Sequence, residues 1–237
     1  MIKMNLLRML ISAIEDPVTL WFKLRHRSLV SFGICRSLRQ FSTTNQGREI
    51  RQIIDAGANV GQFAAMARFC WPQARIISYE PDPTAAAQFR KIHGKDSKII
   101  LHECALGDNP GVLSINYGES SAQNSALVET KASRRGTFQA VVRTLDDSLD
   151  KSNEKRFLKI DVQGYEMHVL RGAQAILKEV DYLLIEISLA DMFEGGALVE
   201  EVWGFLRKNG FKYHHVMDLY FDSDHGVVMQ MDVLFSR

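Results

Sequence analysis

The stretch Ile53-Ile54-Asp55-Ala56-Gly57-Ala58-Asn59-Val60-Gly61 decides how this chain folds. Its apolar start predicts a strand over Ile50–Asp55, and the apolar spacing that resumes after the turn predicts a helix over Gly61–Cys70. Gly57 and Gly61 carry no side chain where a ligand would approach the backbone, and the first N–H groups of the helix offer themselves to an anion. The dinucleotide fingerprint Gly-x-Gly-x-x-Gly is not met. Asn59 stands at its middle glycine and Gly61 falls one residue short of its third. The turn therefore points away from NAD and toward a nucleotide-like ligand with a carboxylate in place of a pyrophosphate.

Downstream, short apolar runs alternate with helical stretches, the signature of βα units that feed a parallel sheet. The spacing predicts strands over Arg75–Glu80, Lys98–Glu103, Phe157–Asp161 and Tyr182–Ile187, and helices over Pro83–His93, Tyr165–Lys178 and Ala197–Asn209. Two alternating runs, Gly111–Tyr117 and Phe138–Leu145, read as antiparallel strands inserted after the third strand, joined by a polar loop with Ser120, Ser121, Asn124 and Ser125. Phe211–Met217 and Val227–Phe235 read as a terminal hairpin. In it Met229 and Met231 alternate with Gln230 and Asp232 as in a half-buried strand, and His214 and His215, adjacent in a strand, are expected on opposite faces. The three cysteines, Cys35, Cys70 and Cys104, are widely spaced and read as reduced core residues.

Before this region, Leu7, Leu10, Ile11, Ile14 and Val18 form the stripe of one amphipathic helix. Asp16 and Pro17 supply the N-cap and first position of a second, with Trp21 and Phe22 on its apolar side. The polar run Ser42–Gly47 reads as a linker, which divides the chain into a helical extension over residues 1–48 and a main domain over residues 49–237. Residues 1–51 carry nine basic side chains against three acidic ones, although the whole chain of 237 residues has a net charge of only +1. A solvated helix face explains this better than a nucleic-acid arm. Docking of these helices on an anionic membrane is the other reading. With 46% apolar and 24% charged residues the composition is that of a globular protein. The apolar stretch Leu6–Ile14 is too short to span a bilayer and lacks the pattern of a secretory signal, so the expected location is cytoplasmic.

Glu80 ends the second strand, 25 residues after Asp55, where an acid at the carboxyl edge of the sheet can accept from both hydroxyls of a ribose. Glu103 holds the corresponding place on the third strand and could meet an adenine amino group. Asp161 and Glu186, at the ends of later strands, are the candidate general bases, with His168 a weaker third. No residue cluster suggests a metal.

Together Asp55–Gly61, Tyr79-Glu80-Pro81, Cys104–Asp108, Arg143-Thr144-Leu145-Asp146-Asp147, Leu158–Glu166 and Leu170-Arg171-Gly172-Ala173 resemble the FkbM family of S-adenosylmethionine-dependent methyltransferases, over residues 50–215. The resemblance implies an α/β, Rossmann-like class I methyltransferase fold: a mostly parallel seven-stranded sheet with a terminal antiparallel hairpin. It implies S-adenosylmethionine as cofactor, held through Asp55, Gly57, Asn59 and Gly61 around the methionine moiety, Glu80 at the ribose, and the loop with Glu103 and Ala105 at the adenine. Asp161 falls near the sulfonium and acceptor. Family members typically methylate hydroxyl oxygens of sugars, glycolipids or natural products. The family often has Glu where this chain has Gln163. A nucleic-acid methyltransferase is an alternative, although Asp161-Val162-Gln163-Gly164 has no Asn-Pro-Pro-Tyr type loop and no Pro-Cys pair is present. A non-catalytic cofactor-binding protein is the other.

Overall fold

The structure, a computed structural model, describes residues 16–26, 31–118, 121–127, 136–222 and 226–237. Residues 1–15, which hold most of the first predicted helix, lie outside them, as do Ser120 and the hairpin turn at 223–225. Among the described residues ten strands run in chain order: β1 (Ile50–Ala56), β2 (Arg75–Tyr79), β3 (Ile99–His102), β4 (Ala105–Leu106), β5 (Gly111–Asn116), β6 (Thr137–Arg143), β7 (Lys155–Ile160), β8 (Tyr182–Ser188), β9 (Lys212–Asp222) and β10 (Val227–Ser236). Seven of them form one sheet in the order β3-β2-β1-β7-β8-β10-β9. It is parallel from β3 to β8, and β10 enters antiparallel between β8 and β9. This is the seven-stranded, mostly parallel sheet with a terminal hairpin that the sequence predicts. The insertion after β3 forms a small second sheet, β4-β6-β5.

Successive strand residues turn to opposite faces, and both faces are covered, which is why the central strands read as unbroken apolar runs. Ile54, Leu158, Leu183 and Val233 join one core with Leu170, Val202 and Leu206. Ile53, Phe157, Leu184 and Leu234 join the other with Phe63, Met66 and Trp71.

The helices are α1 (Pro17–His26), α2 (Phe32–Ser42), α3 (Gln62–Cys70), α4 (Pro83–His93), α5 (Leu145–Ser148), α6 (Glu166–Arg171) and α7 (Val199–Lys208). Asp16 caps α1 through the Thr19 amide and hydroxyl, and Asp82 caps α4 through the Thr84 amide. The sequence reading missed α2. Ser31 caps it by accepting from the Ile34 amide, and Cys35, Leu38 and Phe41 bury against the second core. The run that follows is no free linker: Ser42 and Gly47 are buried, and the Gly47 carbonyl accepts from the Trp71 indole at 2.7 Å.

The expected helix Tyr165–Lys178 is interrupted. After Arg171, Asp146 intervenes: its amide donates to the Gly172 carbonyl, and its carboxylate accepts from the amides of Ala175 and Ile176. Irregularities in the β9–β10 pairing also bring the Nδ1 atoms of His214 and His215 within 2.7 Å, where regular alternation would separate them.

Candidate functional site

The carboxyl ends of β1, β2, β7 and β8 open into a cavity of about 310 Å³. The β1–α3 turn forms one side of it. Gly57 has φ +81°, and a Cβ there would stand 1.9 Å from the Asp161 carbonyl oxygen; Gly61 has φ +88°, and a Cβ there would meet the His93 ring at 2.5 Å. Both glycines are thus demanded by the protein's own packing, where the sequence reading assigned the space to a ligand. Gly57 lines the cavity, whereas Gly61 anchors α3 against α4, with His93 Nε2 2.7 Å from the Gly61 carbonyl oxygen.

Glu80 is buried at the end of β2, and its two carboxylate oxygens accept from the Asn59 amide at 2.7 Å and the Asp82 amide at 2.8 Å. Burial pushes its pKa up to about 7 against the lowering effect of those two bonds. Each oxygen keeps a free lone pair, so the side chain can still receive two hydroxyl donors. Pro81, Ala105 and Leu106 give the adjoining wall an apolar surface. Glu103 does not belong to this site: its half-exposed carboxylate pairs with Arg90 on the surface, away from the cavity lining.

Lys159 organises the floor. Its ammonium donates to the Gly57 carbonyl at 2.8 Å, lies 3.6 Å from Asp55 and 3.3 Å from Asp161, and sits over the Phe63 ring. Burial alone would lower its pKa, but Asp161 and Asp55 outweigh that and hold it above its ordinary value. Asp55, expected at the methionine moiety, does not line the cavity: it is fully buried beneath it with Oδ1 toward the Lys159 ammonium, and burial raises its carboxyl despite Lys159.

Asp161 and Glu186 come together through Gln163, whose Nε2 donates to Asp161 Oδ1 at 2.8 Å and to Glu186 Oε2 at 3.1 Å. An amide can bridge two carboxylates, where a Glu at this position would add a third negative charge. Gln163 adopts φ +54°, and Asn59 adopts φ +48°. Both are tied to the inserted sheet's loop: Ser121 Oγ donates to Asn59 Oδ1 at 2.7 Å, and Ser125 Oγ to the Gln163 carbonyl at 2.5 Å. The N-cap of α6 is Tyr165, and Glu166 accepts from the Val162 and Gly164 amides, so Asp161 is not spent on capping.

A second amide, Gln230 of β10, donates to the same Glu186 Oε2 at 2.9 Å, and no hydrogen bond reaches Oε1 among the described residues. Burial, then Asp161 and Asp232, raise Glu186 well above its ordinary value. His168 lies outside the cavity, stacked on Tyr165 and 3.4 Å from Asp108. Sequence reasoning missed Lys159, Gln230 and Asp232. All three are polar residues within strands, and only the register across β7, β8 and β10 brings them to the floor. Gln230 is buried, not the solvent-facing residue that alternation with Met229 and Met231 suggests.

A parallel sheet of this order with an acid after β2 and an acidic site after β7 defines a class I methyltransferase. The family described as the methyltransferase FkbM domain matches residues 55–213, and the chain belongs to it. S-adenosylmethionine is its cofactor. The chain is 32% identical over 143 residues to Methyltransferase 1 of Beauveria bassiana, covering 51% of this chain and 57% of that one. It is 27% identical over 159 residues to the 2-O-methyltransferase NoeI of Sinorhizobium fredii, covering 60% and 65% respectively. The matches thus span less than two thirds of the length of these two relatives. A structure from Listeria monocytogenes assigned to the S-adenosylmethionine-dependent methyltransferases shares the fold, with a TM-score of 0.50 and 10% identity over 86% of this chain and 96% of that one. Among the described residues no helix is long and apolar enough to cross a membrane, and no cluster of three or more side chains could hold a metal ion.

Proposed function

We propose that this chain methylates a hydroxyl oxygen of a saccharide or a related polyhydroxylated small molecule. The observation that carries the reading is the pair Asp161–Glu186, bridged by Gln163 on the cavity floor, with Glu186 Oε1 left unbonded. The 2-O-methyltransferase among the relatives supports oxygen as the acceptor atom.

The residues fit the cofactor. Glu80 retains acceptor capacity for a ribose diol, and the apolar wall at Pro81, Ala105 and Leu106 suits an adenine. When bound, S-adenosylmethionine supplies an activated methyl group on a sulfonium. The chain must then align the acceptor, exclude water and remove a hydroxyl proton.

Glu186 is the base in this reading. Gln163 and Gln230 fix one of its oxygens, and the other is free to accept the acceptor's proton. Burial and the neighbouring acids make it a stronger base than an ordinary carboxylate, and Lys159 balances Asp161 beside it. A positioned base contributes roughly 10²–10⁴-fold. The experiment is a screen of sugars with isotopically labelled S-adenosylmethionine, comparing wild type with Glu186→Gln. Labelled methyl ether from wild type, reduced at least about a hundredfold in the variant, is the expected result. Methylation undiminished in Glu186→Gln would remove its role as base, and cofactor binding without turnover on any hydroxyl would leave a binding protein.

A further inference from the structure

One level of the sheet carries a row of carboxylates. Asp232 on β10 is directly paired with Glu186 on β8 and with Asp218 on β9, and Asp161 follows the Ile160–Ile185 pair of β7 and β8 at the same level. Like charges at directly opposed positions destabilise a sheet. Lys159 is the cation that ion pairs bring to this row, and it is shared between Asp55 and Asp161. Glu186 has its two amide donors. Asp232 is half-buried and lines the cavity, and its carboxylate has neither a hydrogen bond nor an ion pair among the described residues. Burial, then the charge of Asp161, pushes its pKa up to about 8. An acid without a partner beside other acids favours a cationic ligand, which would supply the missing partner and relieve the crowding of like groups along the row.

The place of Asp232 says which ligand that is. Glu80 and the β1 turn, where the nucleoside belongs, lie at the β1–β2 side. Asp232 is three strands beyond β1, about 14 Å at ordinary strand spacing, and its end of the cavity is walled by Ser31 and Ile34 of the α2 start. Both Asp232 and this wall lie outside the family-matched residues 55–213.

We propose that Asp232 is a specificity residue that receives a protonated amine of the acceptor, so that the substrate is an amino sugar or another amino-polyol. Neutral sugars bring no counter-ion to Asp232, and uronic acids add another acid to the row. The inference rests on the methyltransferase reading above and names the substrate class of that site.

The test is calorimetric titration of the full chain with glucosamine, glucose and glucuronate, with and without bound S-adenosylmethionine, in wild type, Asp232→Asn and Asp232→Glu. The cofactor titration comes first and judges the methyltransferase reading by itself; the cofactor-free sugar titrations judge Asp232 even if that reading fails. Expected is binding of glucosamine about tenfold or more tighter than of glucose, with glucuronate weakest, a preference abolished in Asp232→Asn and largely restored in Asp232→Glu. Equal binding of glucose, preferred binding of glucuronate, or no binding of glucosamine would each overturn the proposal. A preference that vanishes once S-adenosylmethionine is bound would assign Asp232 to the cofactor and overturn it as well.

Discussion

The two ends of the cavity are built on opposite terms. At the β1–β2 end the backbone is committed: Glu80 holds two amides, the Gly57 and Ala58 amides both donate to the Tyr79 carbonyl, and Gly57 sits where no larger residue fits. At the β8–β10 end, among the described residues, Asp232 has no hydrogen bond or ion pair and Glu186 keeps an open oxygen. The first end is specified by backbone geometry and suits a ligand that does not vary. The second gathers acids at one level of the sheet with few fixed partners, so it can be retuned by single side chains without disturbing the fold.

Substitutions at the two ends should therefore differ in kind. The largest effect is expected from Gly57→Ala, whose new Cβ would collide with the Asp161 carbonyl. We expect a loss of about 4 kcal/mol or more in urea unfolding, and a loss below about 1 kcal/mol would show that the turn is not rigid. Glu80→Ala should fold yet bind S-adenosylmethionine at least about a hundredfold more weakly, because hydrogen bonds to a charged group contribute roughly 1.5–3 kcal/mol each; unchanged affinity by calorimetry would move the ribose elsewhere.

The Asp232 end should behave in the reverse sense. An acid whose pKa is raised on folding costs no stability below its unfolded value near 4, and costs progressively more until it is ionised in both states, here above about 8. Wild-type stability should thus fall as pH rises from 4 to 8, and Asp232→Asn should flatten that fall and be more stable at pH 8.5 by on the order of 2 kcal/mol. Parallel stability curves for the two proteins would mean that Asp232 is not strained. The smallest effect belongs to Ser121→Ala, which removes one bond to Asn59 and should weaken cofactor binding by about 1 kcal/mol. No change in affinity would mean that the inserted loop does not support the turn.

The same contrast governs what could be read from the sequence. Glycines in a strand-to-helix turn, an acid at a strand end and Asp82-Pro83 at a helix start are local signals, and Gly57, Glu80 and α4 emerge where local chemistry puts them. Glu103 shares its strand-end position with Glu80 but not its setting, because Arg90 on α4 draws it outward. Asp232 and Gln230 look like the wet side of a hairpin until β10 takes an interior place, where both faces are covered. Helix α2 had a local signature, Ser31 before Cys35, Leu38 and Phe41, but the polar run after it diverted the reading to a linker. Two of the motifs behind the family resemblance are structural: Asp146 of Thr144-Leu145-Asp146-Asp147 fastens the chain just beyond Leu170-Arg171-Gly172-Ala173, away from the reacting groups.

The strand order also constrains how the molecule assembles. β9 is made before β10 but lies outside it, so when β9 leaves the ribosome it has no neighbour in the sheet, and the acceptor end of the cavity has no floor. β10 must zip against β8 and β9 together, joining residues far apart along the chain to residues nearby. Contacts distant in sequence form slowly. Cofactor binding at the β1–β2 side is therefore expected to precede completion of the acceptor side during synthesis, and a nascent chain halted after β9 should retain nucleotides while being blind to sugars.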